Sequence, residues 1–206
     1  MMRTLVIDCA TEACSVALLE DRALLGGEFR VLGRGHAEQL VPMIAALPGK
    51  GKAQRIAVSV GPGSFTGVRV GLAAARALAF AWGAELLGYP TLDLVAAMAR
   101  NRRGDQLVTA AMTGGHGEWF VQTFAADGTA LGPLASLTPP AAAEHAAALV
   151  AGSQAEALVG LRGSGEALAL LPDAREFALL PPAILRSQPT PLYGRAPDAK
   201  LPQAAS

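Results

Sequence analysis

Two features of the sequence are placed to do chemistry. Asp8 closes an apolar, β-rich run over residues 3–8. A carboxylate at the end of such a strand can hold a hard cation or orient a phosphate, provided other oxygen ligands join it. Gly61-Pro62-Gly63-Ser64-Phe65-Thr66-Gly67 follows a second run of this kind and opens a long helical pattern. Free backbone N–H groups at a strand-to-helix junction favour an anion. The spacing fits neither nucleotide fingerprint. A G-x-G-x-x-G motif would need glycine where Thr66 stands, and a P-loop would need a lysine that does not follow. The candidate phosphate or nucleotide contacts are therefore Asp8, Thr11, Gly61, Gly63 and Ser64. Plain turn chemistry competes for all of them: Asp8 can bond nearby N–H groups, the glycines can supply positive φ, and Ser64 can cap the helix.

The remaining reactive residues form no evident constellation. A pair with Asp8 would need a carboxylate at the end of the corresponding strand in the second half, and Thr113 stands there. One carboxylate cannot make a two-metal site. In His36-Ala37-Glu38-Gln39-Leu40, Leu40 occupies the place of a second histidine one turn on, and His116 and His145 are distant in sequence. The expectation is no metal site and no catalytic residue. Cys9 and Cys14 lack the C-x-x-C spacing and read as reduced, partly buried residues. Gly160-Leu161-Arg162-Gly163-Ser164-Gly165 reads as a strand-to-helix turn, where a nucleoside could lie.

These residues need a scaffold, and its pattern is legible. Strands are expected over residues 3–8, 15–20 and 23–31, then a helix over 36–47 with Leu40, Met43, Ile44 and Leu47 on one face. A strand over 55–60, a helix over 65–81, a strand over 85–88 and a helix over 92–100 capped by Thr91 complete a βββαβαβα order. Strands over 106–112, 118–125 and 129–137 begin the order again, with Asp127-Gly128 as a hairpin turn. A helix over 139–151, a strand over 157–161, a short helix over 166–171 and a strand over 175–180 follow, then an irregular Pro-rich stretch. Two βββαβα units predict an α/β, duplicated ribonuclease-H-like fold of the actin-like ATPase class, its second half trimmed. The expected domains are residues 1–104 and 105–206.

The helix over 65–81 carries a second pattern. Gly67, Gly71, Ala75 and Ala79 recur every four residues, flanked by Val68, Leu72 and Leu78, with Arg69 at the margin. Small side chains let another backbone approach closely. This stripe, together with Leu40, Met43, Ile44 and Leu47, is the candidate partner interface, and Gly71→Trp is expected to overpack it. The same stripe could instead pack on the protein's own sheet. Composition supports a partner: 51% of residues are hydrophobic and only 17% charged, below the roughly 25% of an average soluble protein. Lys+Arg and Asp+Glu both number 17, so the zero net charge argues against direct nucleic-acid binding. No signal peptide or membrane span is evident, which predicts a cytoplasmic protein.

Three stretches carry a family resemblance. Ile7-Asp8-Cys9-Ala10-Thr11-Glu12-Ala13-Cys14-Ser15-Val16-Ala17-Leu18, the loop Gly61–Gly67 with Val68-Arg69-Val70-Gly71, and Pro191-Leu192-Tyr193-Gly194-Arg195-Ala196-Pro197-Asp198-Ala199-Lys200 resemble the TsaB (YeaZ) family. The resemblance implies a non-catalytic, actin-like paralogue of TsaD, the subunit that transfers a threonylcarbamoyl group to the adenosine beside the anticodon of tRNA. It implies a dimerisation scaffold that pairs with TsaD through its first two long helices, forms homodimers by the same face when alone, and is joined by the ATPase TsaE. It further implies that tRNA is met only through the complex, with no membrane involved. No cofactor is required, and room remains for weak nucleotide binding. The alternatives are an actin-like small-molecule kinase or ATP hydrolase, and a metallopeptidase. The sequence departs from the family pattern at Thr113-Gly114-Gly115-His116-Gly117-Glu118, where members show Asp-Ala-Arg-x-Gly-Glu, and at Gly194, where they show leucine.

Overall fold

The computed structural model describes residues 1–194. Strands β1 (Arg3–Asp8), β2 (Ala13–Glu20) and β3 (Ala23–Val31) form an antiparallel meander. Asp21 and Arg22 both take positive φ, 45° and 74°, the two-residue hairpin geometry that matches strand twist. Helix α1 (His36–Ala46) buries Leu40, Met43 and Ile44, and the chain leaves it through Leu47 ahead of Pro48. After β4 (Arg55–Ser59), Ser64 caps α2 (Phe65–Trp82): its hydroxyl accepts from the Gly67 N–H at 3.2 Å. Gly83, in the left-handed region, ends that helix. β5 (Glu85–Tyr89) leads into α3 (Thr91–Arg103). Thr91 is not the cap as expected: Pro90 holds that place, and the Thr91 hydroxyl bonds Ser59 Oγ at 2.8 Å.

The second half repeats the strand order. β6 (Val108–Thr113), β7 (Trp119–Phe124) and β8 (Ala135–Leu137) form the meander, and β9 (Leu149–Ala151) and β10 (Glu166–Leu168) add parallel strands. With a last strand β11 (Arg186–Ser187), the first sheet runs β11-β5-β4-β1-β2-β3 and the second β10-β9-β6-β7-β8. With β11 set aside, the two orders are equivalent strand for strand. The expected duplicated α/β fold is thus present, and the trimming shows as three-residue strands β8, β9 and β10.

The later elements of this half differ from expectation. The helix expected over 139–151 is α4 (Pro139–His145) only, because Leu149, Val150 and Ala151 are fully or almost fully buried as β9 between β6 and β10. Tertiary pairing outweighs the helix propensity of the alanine run. The expected strand over 157–161 is α5 (Ala155–Arg162), which buries Ala155 and Leu158 three residues apart. The helix expected over 166–171 is instead β10, pairing with β9. The strand expected over 175–180 is a 3-10 turn, Ala174–Leu179.

The two sheets are not independent units. α1 and α2 cover one face of the first sheet, packing on Leu5, Ile7, Val16, Leu18, Ile56 and Val58. α3 lies against the other face through Leu94, Ala97 and Met98, and against the second sheet through Leu92, Val95, Ala96 and Ala99. Ala174, Phe177 and Leu180 complete the first sheet's underside. β11 (Arg186–Ser187) pairs antiparallel with β5, and the Leu192 N–H donates to Val60 O at 2.7 Å. The division expected at 105–206 is therefore corrected: about residues 105–171 build the second sheet, and later residues return to the first. Among the described residues no helix is long and apolar enough to cross a membrane.

Candidate functional site

The loop after β4 is pressed against the end of β1. The Ser64 N–H donates to Ala10 O at 2.7 Å. A Cβ at Gly63 would collide with the Ala10 carbonyl oxygen, and one at Gly67 with that of Cys9. Glycine is needed at both places because backbone meets backbone. This contact closes the strand-to-helix junction over Asp8, whose side chain is fully buried. The Asp8 carboxyl accepts from the Ala10 N–H and the Tyr89 hydroxyl, each at 3.0 Å. Burial raises its pKa to about 7, against those hydrogen bonds, which pull it down. Asp8 is thus a buried carboxyl bonded within the protein, and Gly61 is buried too, packed against the Leu192 carbonyl and Val68. Thr11, also buried, bonds the Ala13 N–H through its hydroxyl.

Beyond that seal lies a cleft of about 730 Å³ between the halves. Thr11, Gly63 and Ser64 reach it from one side, Thr113 and the Gly114–His116 hairpin tip from the other; Val68, Met112, Phe120 and Leu192 supply apolar wall. Thr113, which replaces the facing carboxylate, is held by Ser153 and Gln154: its N–H donates to Ser153 Oγ at 3.0 Å and its hydroxyl accepts from Gln154 Nε2 at 2.8 Å. Gly194 lies against Phe120, where a Cβ would come within 2.5 Å of the ring, so the leucine of the family pattern would not fit beside this phenylalanine. The residues 160–165 sit elsewhere. They end α5 and lead into β10, and the Arg162 guanidinium ties down the carbonyls of Ala146, Ala147 and Ala148. The strand-to-helix turn of this half is formed by Gly152, Ser153 and Gln154 instead.

The helix pair has two faces, and the structure assigns them differently from the expectation. Leu40, Met43, Ile44 and Leu47 of α1 and its end lie in the protein's own core with Val68, Leu72, Ala75 and Ala79 of α2. Leu78 is half-buried against the same core. Gly67 and Gly71 are buried too; a Cβ at Gly71 would meet Cys9 and Val58. The glycine and alanine stripe therefore admits β1 and β4, not a partner, and Gly71→Trp would test folding instead of docking. The outer face of α2 carries Thr66, Arg69, Ala73, Arg76, Ala77 and Phe80. Phe80 is 93% exposed, Phe65 58%, and Val41 on α1 61%. Arg69 alone of the expected set lies on this outer side. Its guanidinium carbon is 3.4 Å from the Phe65 ring centroid, and its Nη2 donates to the Tyr193 hydroxyl at 3.0 Å.

The histidine and cysteine residues of the first half support this architecture. His36 Nε2 is 2.9 Å from Thr11 O and 3.2 Å from Ala13 O. Both partners are carbonyls, so this nitrogen carries the proton, and the ring pins the β1–β2 turn to α1. Cys9 and Cys14 are buried, with their sulfurs 3.6 Å apart. Among the described residues no three His, Cys, Asp or Glu side chains gather as a metal-ligand set. The closing motif is described through Gly194; its residues 195–200 lie outside the described chain.

Known proteins bear directly on this arrangement. Residues 30–163 match the family model described as TsaD, tRNA N6-adenosine threonylcarbamoyltransferase. The tRNA threonylcarbamoyladenosine biosynthesis protein TsaB of Escherichia coli is 38% identical over 124 residues, 58% of this chain and 53% of that protein. The chain thus spans about half the length of this curated relative. An uncharacterized protein of Mycobacterium bovis is 33% identical over 95% of this chain and 93% of its own. The structure of YeaZ from Pseudomonas aeruginosa superposes with a TM-score of 0.79 at 29% identity, covering 94% of this chain and all of that one.

Proposed function

The chain belongs to the TsaB (YeaZ) family of tRNA threonylcarbamoyladenosine biosynthesis proteins, and from that premise we propose that it is a docking subunit, not a catalyst, which binds TsaD. The docking surface is the outer face of α1 and α2. The observation that carries this reading is Phe80, an aromatic side chain 93% exposed in the last turn of α2, on an outer face that otherwise carries Thr66, Ala73 and Ala77 with Arg69 and Arg76. Such a side chain gains by burial against a partner, with Ala73 and Ala77 leaving room for close approach. The sealed Asp8 and the threonine at position 113 support a non-catalytic role, because together they offer no pair of facing carboxylates. In this reading the subunit works in the cytoplasm, dimerises by the same face when alone, joins TsaE in the assembly, and meets tRNA only there.

Light scattering of the purified chain, alone and mixed with TsaD, tests the proposal, with threonylcarbamoyl transfer to tRNA as the functional readout. The expected result is a homodimer alone, a complex with TsaD, and transfer that depends on both. Phe80→Asp should leave the fold intact by circular dichroism and abolish both associations. A wild-type chain that stays monomeric at high concentration and does not associate with TsaD overturns the proposal.

A further inference from the structure

Cys9 and Cys14 serve no purpose in the docking reading, yet their placement is specific. β1 and β2 pair in the register Asp8↔Ser15, so Cys9 and Cys14 are the next opposing positions as the strands enter their turn. Opposed antiparallel residues have Cα atoms about 4.5–5.5 Å apart, inside the range that a disulfide spans. Both side chains point to the same side, into the core beneath α1 and α2, and their sulfurs are already 3.6 Å apart. We propose that Cys9 and Cys14 form a reversible intramolecular disulfide when the protein meets a small peroxide oxidant.

The chemistry balances with two thiols and one peroxide. The hydrogen bond from Cys9 pulls the Cys14 thiol below its ordinary pKa and pushes Cys9 well above, which makes Cys14 the first nucleophile. Its thiolate attacks one peroxide oxygen. The O–O bond breaks, a sulfenic acid forms, and the departing hydroxide takes up a proton as water. The Cys9 sulfur then attacks the sulfenic sulfur. The S–O bond breaks, the S–S bond forms, and the second hydroxide leaves with the Cys9 proton as water. The two electrons lost by sulfur are those gained by the peroxide oxygens.

Access and consequence both follow from the surroundings. Ala10, Thr11 and Glu12, three of the four residues between the cysteines, line the cleft between the halves, so a small oxidant approaches the pair from there. The sulfurs must close to about 2.05 Å, a displacement of about 1.5 Å. That movement does not stay local. The carbonyls of Thr11 and Ala13 hold His36 at the start of α1, and the Cys9 carbonyl abuts Gly67 in the first turn of α2. The disulfide therefore alters the seating of both helices at their N-terminal ends. This inference stands apart from the docking reading, since the disulfide needs no partner.

The test treats the folded wild-type protein with hydrogen peroxide, at a dose that consumes both thiols of the denatured chain, then blocks free thiols and digests with trypsin. Both cysteines fall on one peptide, residues 4–22. The expected product is that peptide about 2 Da lighter and unblocked, restored by dithiothreitol. Hydrogen exchange should change at the starts of α1 and α2 and not in α5. Cys9→Ser and Cys14→Ser should each prevent the 2 Da loss. Two blocked thiols after treatment, a cross-linked dimer, or sulfinic acid without the internal disulfide overturns the proposal.

Discussion

Replacing Asp8 with asparagine should stabilise this protein and remove most of a pH dependence. The wild-type carboxyl is fully buried, and burial raises its pKa from 3.8 to about 7. In the unfolded chain it titrates near the ordinary value. Between about pH 4 and pH 7 the folded chain therefore keeps a proton that the unfolded chain has released. Stability falls as pH rises through that window, and above it the penalty is constant. At about 1.4 kcal/mol per pH unit, the full penalty is about 4 kcal/mol. Asparagine cannot ionise. Its carbonyl can accept from the Ala10 N–H, and the Tyr89 hydroxyl can turn to accept from its amide. Urea unfolding at several pH values, for wild type and Asp8→Asn, measures the difference. The variant should gain up to about 4 kcal/mol at about pH 8, with the gain shrinking toward zero near pH 4. An equal pH slope in the two proteins, or a wild type that is the more stable at pH 8, refutes the burial argument.

Four other changes separate packing from docking. Gly67→Ala places a Cβ on the Cys9 carbonyl oxygen; despite a propensity gain of about 1 kcal/mol, it should cost about 1–3 kcal/mol in denaturant unfolding. Phe80→Ala should leave stability almost unchanged but weaken the proposed association, read by calorimetry, by roughly 10- to 100-fold, the worth of one buried aromatic side chain at about 1.5–3 kcal/mol. Arg162→Ala removes the guanidinium that binds the Ala146, Ala147 and Ala148 carbonyls. It should lower stability by about 1–3 kcal/mol without affecting association, whereas the exposed Arg34→Ala should change neither.

The first half was legible because each of its elements carries a strong local signal. Both ends of β1 and β3, the end of β2 and the starts of α1, β4, α2 and β5 match expectation to the residue, and the remaining ends shift by one to three positions. The second half is harder because its elements are short. Leu149-Val150-Ala151 sits in an alanine-rich run that reads as helix, and only its neighbours β6 and β10 make it a strand. α5 has eight residues and one clear pair of buried positions, too little period to distinguish it from a strand. The candidate site shows the same limit in another form. α2 carries small residues on two sides, and sequence periodicity finds the stripes without saying which one meets the sheet. The signal that was available is bulk: Val68 and Leu72 accompany the inner stripe, while Arg69, Arg76 and Phe80 mark the outer one. The seal over Asp8 had no sequence signal beyond the glycines themselves, because it depends on how closely a distant loop approaches β1.

The return of the chain to its first sheet sets an order for biosynthesis. A ribosome that has released residues 1–104 has supplied five of that sheet's six strands and all three of its helices. α3 covers part of the underside, but Ala174, Phe177 and Leu180 are still missing, so the cover over Val6, Ala17 and Leu19 stays incomplete until synthesis passes position 180. The nascent amino-terminal half therefore spends most of the remaining translation time with an unfinished hydrophobic surface, and completes its core only after the other half has been made.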